Sequence, residues 1–309
     1  MSSAECRNQF SWRRLEGLLN AFLVCMLVLV TGCASTPETQ PPQISVQTTE
    51  AFSDVDAAVA KATSTFTASR VLVVLDIDNT LLTSQTDLGG DIWYQWQTDR
   101  LRQRPAADQK VKCLFEDAIG LLYELAPMQL TDLALPDLIK RWQDQGNTVF
   151  ALTSRSPRYR TATERELARA GIDLTRASLT DGNGQAPLYR EKAAREWSYM
   201  QGIMMTTGMN KGEMLSMLLQ RTGVDFDAVI FVDDTRKHID HLSETFEDAG
   251  PKALSLFHFT KVEADRERRQ GEVLTSMQAE GLARDWQTLN ETLLALFPGR
   301  STTDGCLGQ

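Results

Sequence analysis

Short unbroken apolar runs alternate along this chain with longer segments that have helical spacing. The clearest run is Val71–Leu75, five apolar residues without a polar interruption. Further runs lie at 147–152, 228–232 and 253–257, and they are apolar except for Asn147, Thr148 and Ser255. Such runs predict strands that are buried on both faces, as in a parallel sheet covered by helices. We expect a weaker strand near 177–179.

Helical spacing predicts helices over 51–68, 132–145, 158–170, 210–221, 235–246 and 282–297. Strands that alternate with helices predict an α/β fold with a doubly wound parallel sheet. The segment after the first strand is longer than a simple crossover connection. We therefore expect a mostly helical cap insertion at about 84–130.

The N-terminus has the pattern of a bacterial export signal. Arginines precede an apolar stretch at 18–30 that is too short to span a bilayer comfortably. The stretch ends in Val-Thr-Gly before Cys33, which resembles the lipobox of bacterial lipoproteins, and Ala34 resembles an outer-membrane sorting signal. We expect residues 1–32 to be a lipoprotein signal peptide and Cys33 to be lipidated. The protein would then lie in the cell envelope, at the outer membrane facing the periplasm; a plain signal peptide or a short anchor is the alternative.

Composition divides the rest of the chain. Residues 33–50 are rich in Ser, Thr, Pro and Gln and predict a flexible tether. Residues 51–297 suffice for one large domain, and 298–309 form a polar tail. Of the five cysteines, Cys113 and Cys306 remain once the signal and Cys33 are set aside. A disulfide between these two and two free thiols both stay open.

The predicted mature chain has a negative net charge. The full chain carries −9, and the first 32 residues hold three Arg and two Glu, so the remainder carries about −10. This balance argues against a nucleic-acid polymer as a partner, because such binding depends on an excess of basic residues. The negative charge does not exclude small molecules as substrates.

Polar residues follow the ends of the predicted strands or open a helix. They are Asp76, Asp78 and Thr80 after the first strand, Thr153 and Ser154 after the second, Lys211 at a helix start, and Asp233 and Asp234 after the third. Carboxyl ends of parallel strands meet at one edge of a sheet, where α/β proteins bind ligands. Carboxylates this close repel each other unless a cation or a proton lies between them. The sequence therefore predicts a metal-assisted carboxylate site.

The ordered set DIDNT, LTSR, NKG and FVDDT resembles the haloacid dehalogenase superfamily of phosphohydrolases over roughly residues 65–260. The chain looks closest to an uncharacterised group of secreted bacterial members. It is also similar in plan to the secreted acid phosphatases of that superfamily, one of them a lipoprotein. Dehalogenases of the superfamily lack the second aspartate, so Asp78 favours phosphoryl transfer.

This resemblance implies a role for each motif residue. Asp76 would be the nucleophile that forms an aspartyl-phosphate, and Asp78 the general acid and base. Mg²⁺ would be bound by Asp76, the Asp78 backbone carbonyl and Asp233, while Thr153 and Lys211 would bind the phosphate. Further candidates are Asp234, Thr80, Ser154 and Arg155, the last of which could equally be a solvated loop residue.

The resemblance thus implies a Mg²⁺-dependent phosphatase of small phosphate monoesters, anchored to the membrane through Cys33. A phosphotransferase and a non-catalytic envelope lipoprotein are the alternatives. Trp93, Tyr94 and Trp96 would either pack the core of the insertion, which we favour, or line a pocket above the site. For His238 and His241 we expect structural or solvent-facing roles.

Overall fold

The computed structural model of this protein describes residues 42–300. Its strands are Gln43–Thr49 (β1), Val71–Leu75 (β2), Leu82–Ser84 (β3), Met128–Leu130 (β4), Thr148–Thr153 (β5), Tyr189–Lys192 (β6), Glu196–Met200 (β7), Ile203–Met205 (β8), Ala228–Asp233 (β9) and Ala253–Phe259 (β10). Its helices are Phe52–Phe66 (α1), Asp91–Gln97 (α2), Ile119–Leu125 (α3), Leu135–Asp144 (α4), Arg160–Arg169 (α5), Lys211–Thr222 (α6), Arg236–Thr245 (α7), Lys261–Gln270 (α8) and Ser276–Leu296 (α9).

Eight of these strands form one mixed sheet in the order β1-β10-β9-β2-β5-β8-β7-β6. Neighbours from β1 to β8 in that order are parallel, and the last two pairings, β8 with β7 and β7 with β6, are antiparallel. The prediction of an α/β fold with a large, mostly parallel sheet is confirmed. The finer doubly wound topology stays a prediction, and the antiparallel edge is a feature that the sequence pattern did not indicate.

Helices cover both faces of the sheet because the central strands are apolar on both sides. In β2, Val71, Val73 and Leu75 belong to the core cluster that contains α1, α4 and α5. The alternating residues Leu72 and Val74 belong to the opposite cluster with α6 and α7. Successive side chains of a strand point to opposite faces, so an uninterrupted apolar run is required where both faces are covered.

The predicted tether is too long at its C-terminal end. Residues 43–49 form β1, which pairs in parallel with β10 from Gln43 beside Ala253 to Thr49 beside Phe259. Most side chains of this edge strand are exposed, so it can be polar and still donate and accept the backbone hydrogen bonds of a sheet. Strand pairing uses backbone groups and does not require apolar side chains at an exposed edge. The polar composition of residues 43–49 therefore gave no indication of β1.

The segment between β2 and β5 is not mostly helical, which corrects the prediction for 84–130. Besides the two seven-residue helices α2 and α3 it contains one π-helical turn at Leu114–Ala118, and β3 and β4 pair antiparallel at its two ends. Its polar stretch at 98–112 lacks apolar residues at helical spacing. Its identity as a cap also stays a prediction.

This segment shares its core with the C-terminal part of the chain. Trp93 and Trp96 are fully buried in a cluster that also contains Leu274, Ala279 and Leu282. The favoured interpretation of the tryptophans, packing within a core, agrees with this burial. An ion pair between Arg266 of α8 and Asp87, with N–O distances of 2.7 and 2.6 Å, adds a second connection.

Three further expectations concern the rest of the chain. The stretch 177–179 is not a strand; it contributes one carbonyl, from Ala177, to the amide of Val149. Cys113 is disulfide-bonded, which excludes a free thiol there, while its candidate partner Cys306 lies outside the described residues. The predicted signal peptide, Cys33 and most of the tail lie outside them too. No helix within residues 42–300 combines the length and apolarity needed to cross a membrane.

Candidate active site at the carboxyl ends of the strands

The polar residues at the strand ends converge because their strands are neighbours. β2 lies between β9 and β5 in the sheet, with Leu75 level with Val232 on one side and Ala151 on the other. Asp76 follows β2 and donates its backbone N–H to the Val232 carbonyl, at 2.9 Å. Asp233 and Thr153 end the two flanking strands. The edge of the sheet therefore brings these side chains to one place, as the sequence predicted.

Lys211 is the central cation of this site. Its Nζ lies 2.5 Å from Asp76 Oδ1 and 2.6 Å from Asp233 Oδ2, and its side chain is fully buried. Burial alone would lower the pKa of Lys211, but the two carboxylates outweigh burial and raise it. The ammonium therefore stays charged and links two strand ends.

The Asn-Lys-Gly sequence around Lys211 has a structural explanation at each position. The Asn210 side chain caps α6 by accepting from the amides of Gly212 and Glu213, at 2.9 and 3.2 Å. At Gly212 a Cβ would overlap with Thr245 Oγ1 and the His241 carbonyl of α7. Glycine therefore lets α6 approach α7 closely. This approach places the first residue of α6, Lys211, at the ends of the strands that lead to Asp76 and Asp233.

We expect Gly212→Ala to lower the free energy of unfolding by about 1–3 kcal/mol, because the added methyl overpacks the contact between α6 and α7. Urea denaturation measures the change. Gly281→Ala in α9 is the matched control: the nearest atom to its Cβ, Arg284 Nη2, is 4.0 Å away. This control should be neutral or stabilise by up to about 1 kcal/mol, the difference in helix propensity between the two residues. Equal effects at both positions would contradict the close-approach argument.

Three carboxylates form a candidate cation site. Asp76, Asp233 and Asp234 each offer an oxygen within 4.8 Å of the others. Burial raises the pKa of Asp76 and of Asp234 well above the usual range, and neighbouring carboxylates add to the effect. For Asp233, Lys211 and His238 outweigh burial and lower the pKa. The negative charge is therefore only partly compensated, and this donor set of carboxylate oxygens fits Mg²⁺.

The composition of this cluster differs in part from the predicted ligand set. Asp234, a further candidate in the sequence, joins Asp76 and Asp233. The Asp78 carboxylate is not in the cluster. The predicted use of the Asp78 backbone carbonyl as a ligand stays a prediction.

His238 has a position that the sequence did not indicate. Its Nδ1 lies 2.9 Å from Asp233 Oδ1 and 3.1 Å from Asp233 Oδ2. Burial and the charge of Lys211 lower the pKa of His238. The neutral imidazole donates its Nδ1–H to Asp233 and helps to fix that carboxylate. Of the two expected roles for His238, structural and solvent-facing, the contact with Asp233 agrees with the structural one. The one local signal for this contact was the position of His238 in the first turn after the strand end.

Hydroxyl groups surround the same strand ends. Thr153 Oγ1 accepts from the Arg155 amide at 3.1 Å, which leaves its own hydrogen available for donation. The side-chain oxygens of Thr80 and Ser154 are buried without a hydrogen-bond partner in the described part of the chain. Buried hydroxyls are rarely left without a partner, so these two are candidate donors to a bound anion.

Arg155 is a buried residue, so the alternative of a solvated loop arginine is wrong. Its Nε and Nη2 donate to the two oxygens of Asp78, at 2.9 and 2.7 Å. The side chain of Arg155 is 1% exposed and that of Asp78 is 20% exposed. The carboxylate predicted as the general acid is thus held by a bidentate ion pair.

Asp91 of α2 is a further carboxylate that the sequence did not single out. It accepts hydrogen bonds from Asn79 Nδ2 at 3.0 Å and from Gln95 Nε2 at 2.6 Å. Burial, with the nearby charge of Asp78, raises the pKa of Asp91 to about 6. Asn79 adopts a left-handed conformation with φ of 55°, which asparagine tolerates better than most residues. This contact joins the DIDNT loop to the segment inserted after β2.

Comparison with known proteins corrects one prediction. Residues 48–296 match a family described as "Protein of unknown function (DUF2608)". A protein of Chlamydia pneumoniae named "Putative outer membrane protein" is 24% identical over 170 residues, which cover 54% of this chain and 61% of that protein. The matching family is not one of haloacid dehalogenases, so the assignment to that superfamily from four short motifs is wrong. The chain belongs to the DUF2608 family.

Proposed function

We propose that this protein is a Mg²⁺-dependent phosphohydrolase that acts on small phosphate monoesters. The observation that carries the proposal is the buried ion-paired arrangement of Asp76, Lys211 and Asp233 at the carboxyl edge of the sheet. A phosphate monoester is a dianion, so a nucleophilic carboxylate can approach it only where cations neutralise the charge. Lys211 supplies one such cation, and the carboxylate cluster is suited to hold another.

Asp76 is the proposed nucleophile because Lys211 contacts only its Oδ1, which leaves Oδ2 to attack phosphorus. The hydroxyls of Thr153 and Ser154, at the end of the neighbouring strand, are suited to bind the phosphate. An Asp76 oxygen forms a bond to phosphorus, and the bond from phosphorus to the ester oxygen breaks. The leaving oxygen takes a proton from Asp78 and departs as an alcohol. The phosphoryl group is then carried by Asp76 as an acyl phosphate.

Water completes the reaction. Asp78, now ionised, accepts a proton from a water molecule whose oxygen attacks phosphorus, and the bond from phosphorus to Asp76 breaks. Inorganic phosphate leaves and Asp78 is protonated again, so one ester and one water give one alcohol and one phosphate. Bound Mg²⁺ would supply charge neutralisation for the phosphoryl oxygens. Asp76, Asp233 and Asp234 would hold it, and His238 orients Asp233.

We infer that the protein works in the cell envelope. The apolar N-terminal stretch that ends before Cys33 supports this location, as does the Chlamydia relative that carries the name of an outer membrane protein. Lipidation of Cys33 remains part of the proposal. A non-catalytic envelope protein is compatible with the same relative, and the following experiment separates the two functions.

The test is release of 4-nitrophenol from 4-nitrophenyl phosphate by the purified protein. We expect turnover in Mg²⁺ and a loss of at least about tenfold in EDTA, because the phosphoryl charge then loses its metal. Re-addition of Mg²⁺ should restore the rate. The diester bis(4-nitrophenyl) phosphate is the matched control and should react far more slowly. A protein inert toward a panel of monoesters in both Mg²⁺ and Mn²⁺ would contradict the enzymatic proposal and favour the non-catalytic one.

A further inference from the structure

Each of the three guanidinium nitrogens of Arg155 donates to a side-chain oxygen, and an aromatic ring lies against the guanidinium. Nε and Nη2 donate to the two oxygens of Asp78, and Nη1 donates to Thr163 Oγ1 at 2.9 Å. The ring of Tyr123 lies against the guanidinium, with its centroid 4.2 Å from the Arg155 Cζ atom. We propose that Arg155 is a positioning residue that aims the Asp78 carboxyl at the leaving oxygen, an inference that rests on the proposed phosphohydrolase function.

The bidentate contact fixes the plane of the Asp78 carboxyl group. A carboxylate offers about four lone-pair directions, and the guanidinium fork uses two of them. One of the remaining two can carry the proton that the carboxyl delivers to the ester oxygen. Because Asp78 is 20% exposed, it retains a path to substrate while its orientation is set from the buried side by Arg155.

Arg155 is itself held by three separate elements of the fold. Thr163 belongs to α5, and its hydroxyl donates a hydrogen bond to the Tyr159 carbonyl at 2.8 Å. The Thr163 oxygen is therefore aligned to accept from Arg155. Tyr123 comes from α3 of the inserted segment. The Arg155 carbonyl accepts from the amide of Thr207 at 3.1 Å. The orientation of Asp78 therefore depends on α5, on the inserted segment and on the loop after β8.

The burial of Arg155 argues against a purely stabilising role. Removing a guanidinium from water is costly, and a buried ion pair is often no more stabilising than apolar residues of similar volume. The ion pair does give geometric definition, because the planar fork matches both carboxylate oxygens. Such definition is useful where a proton must be delivered to one atom.

Direct binding of the phosphate by Arg155 is the main alternative for the same residue. The two roles differ in their dependence on the leaving group. Loss of a well-aimed proton donor slows esters of weakly acidic alcohols, which need the proton, and spares esters of acidic phenols. Loss of a phosphate contact slows all esters alike and weakens inhibition by inorganic phosphate.

The experiment measures kcat/KM of wild type, Arg155→Lys, Arg155→Gln and Asp78→Asn with methyl, phenyl and 4-nitrophenyl phosphate. We expect both Arg155 variants to lose about 10- to 100-fold on methyl phosphate but under about threefold on 4-nitrophenyl phosphate, with an unchanged inhibition constant for inorganic phosphate. Lysine should not rescue, because it keeps the charge without the fork. The double variant Asp78→Asn/Arg155→Gln should lose no more than Asp78→Asn, since the two residues act as a unit.

Arg266→Gln is the matched control, since it breaks another bidentate arginine–aspartate pair, with Asp87. It should leave the dependence on the leaving group unchanged whatever it does to stability. An equal loss on all three esters with weaker phosphate inhibition would overturn the positioning role in favour of phosphate binding. Wild-type rates in both Arg155 variants would overturn it as well. A wild-type protein that hydrolyses none of the esters would overturn the proposed function together with this inference.

Discussion

Asp76→Asn is expected to abolish phosphatase activity while leaving the protein folded. The amide cannot form the acyl phosphate, so kcat/KM for 4-nitrophenyl phosphate should fall by more than about 10³-fold, the scale seen when a covalent nucleophile is removed. Folding should persist because asparagine has nearly the same shape and Asp76 is a buried carboxylate whose charge is unfavourable there. Steady-state kinetics and thermal melting of the same preparation measure both effects.

Asp227→Asn is the matched control for this prediction. Asp227 precedes β9 at the opposite end of the strand from Asp233, and it pairs with Arg70 at 3.0 Å and Lys252 at 3.1 Å. We expect activity within about twofold of wild type, because partly exposed ion pairs far from the chemistry contribute little. Retention of substantial activity by Asp76→Asn would remove Asp76 from the role of nucleophile.

Lys211→Met is expected to lower the free energy of unfolding by about 3–5 kcal/mol, because it leaves Asp76 and Asp233 buried without their shared cation. Methionine has a similar length, so lost packing contributes little to this change. Mg²⁺ should restore part of the stability if it binds the same carboxylates. Urea denaturation with and without Mg²⁺ measures both effects.

Two comparisons define this stability prediction. Lys140→Met removes an exposed i,i+4 pair with Asp144, and we expect it to cost less than about 1 kcal/mol. The double variant Asp76→Asn/Lys211→Met removes one of the two stranded carboxylates, so it should be more stable than Lys211→Met alone. A loss of under about 1 kcal/mol in Lys211→Met would contradict this prediction. It would show that Asp76 and Asp233 do not need the Lys211 ammonium to remain buried.

The resemblance to haloacid dehalogenases shows which properties of this protein four short motifs could predict. They located residues that the fold brings together, since Lys211 contacts both Asp76 and Asp233. They did not identify the family, because the match over residues 48–296 is to DUF2608. Acidic residues at the ends of parallel strands follow from the ligand-binding edge of any α/β sheet, so they indicate a kind of site more strongly than an ancestry.

Several contacts of the site and of the sheet depend on residues far apart in the chain. Arg155 lies 77 residues from Asp78, and no local pattern links the two. The pairing of β1 with β10 joins positions about 210 residues apart, as in Ser45 beside Ser255. Apolar periodicity reports only whether a segment has a buried face. The partner of that face is chosen when the whole sheet assembles.

The sequence by itself determined four buried strands of the parallel part of the sheet, β2, β5, β9 and β10, and where their polar ends lie, because burial on both faces favours a nearly continuous apolar run. It also determined the capped start of α6, since Asn210 and the helix it opens are adjacent in the chain. Only the tertiary structure decided that Lys211 joins two strand ends, that Arg155 holds Asp78 and that His238 contacts Asp233. Each of these ion pairs or hydrogen bonds requires a separation of about 3 Å and a defined direction, and those follow from the packing of elements rather than from residue order.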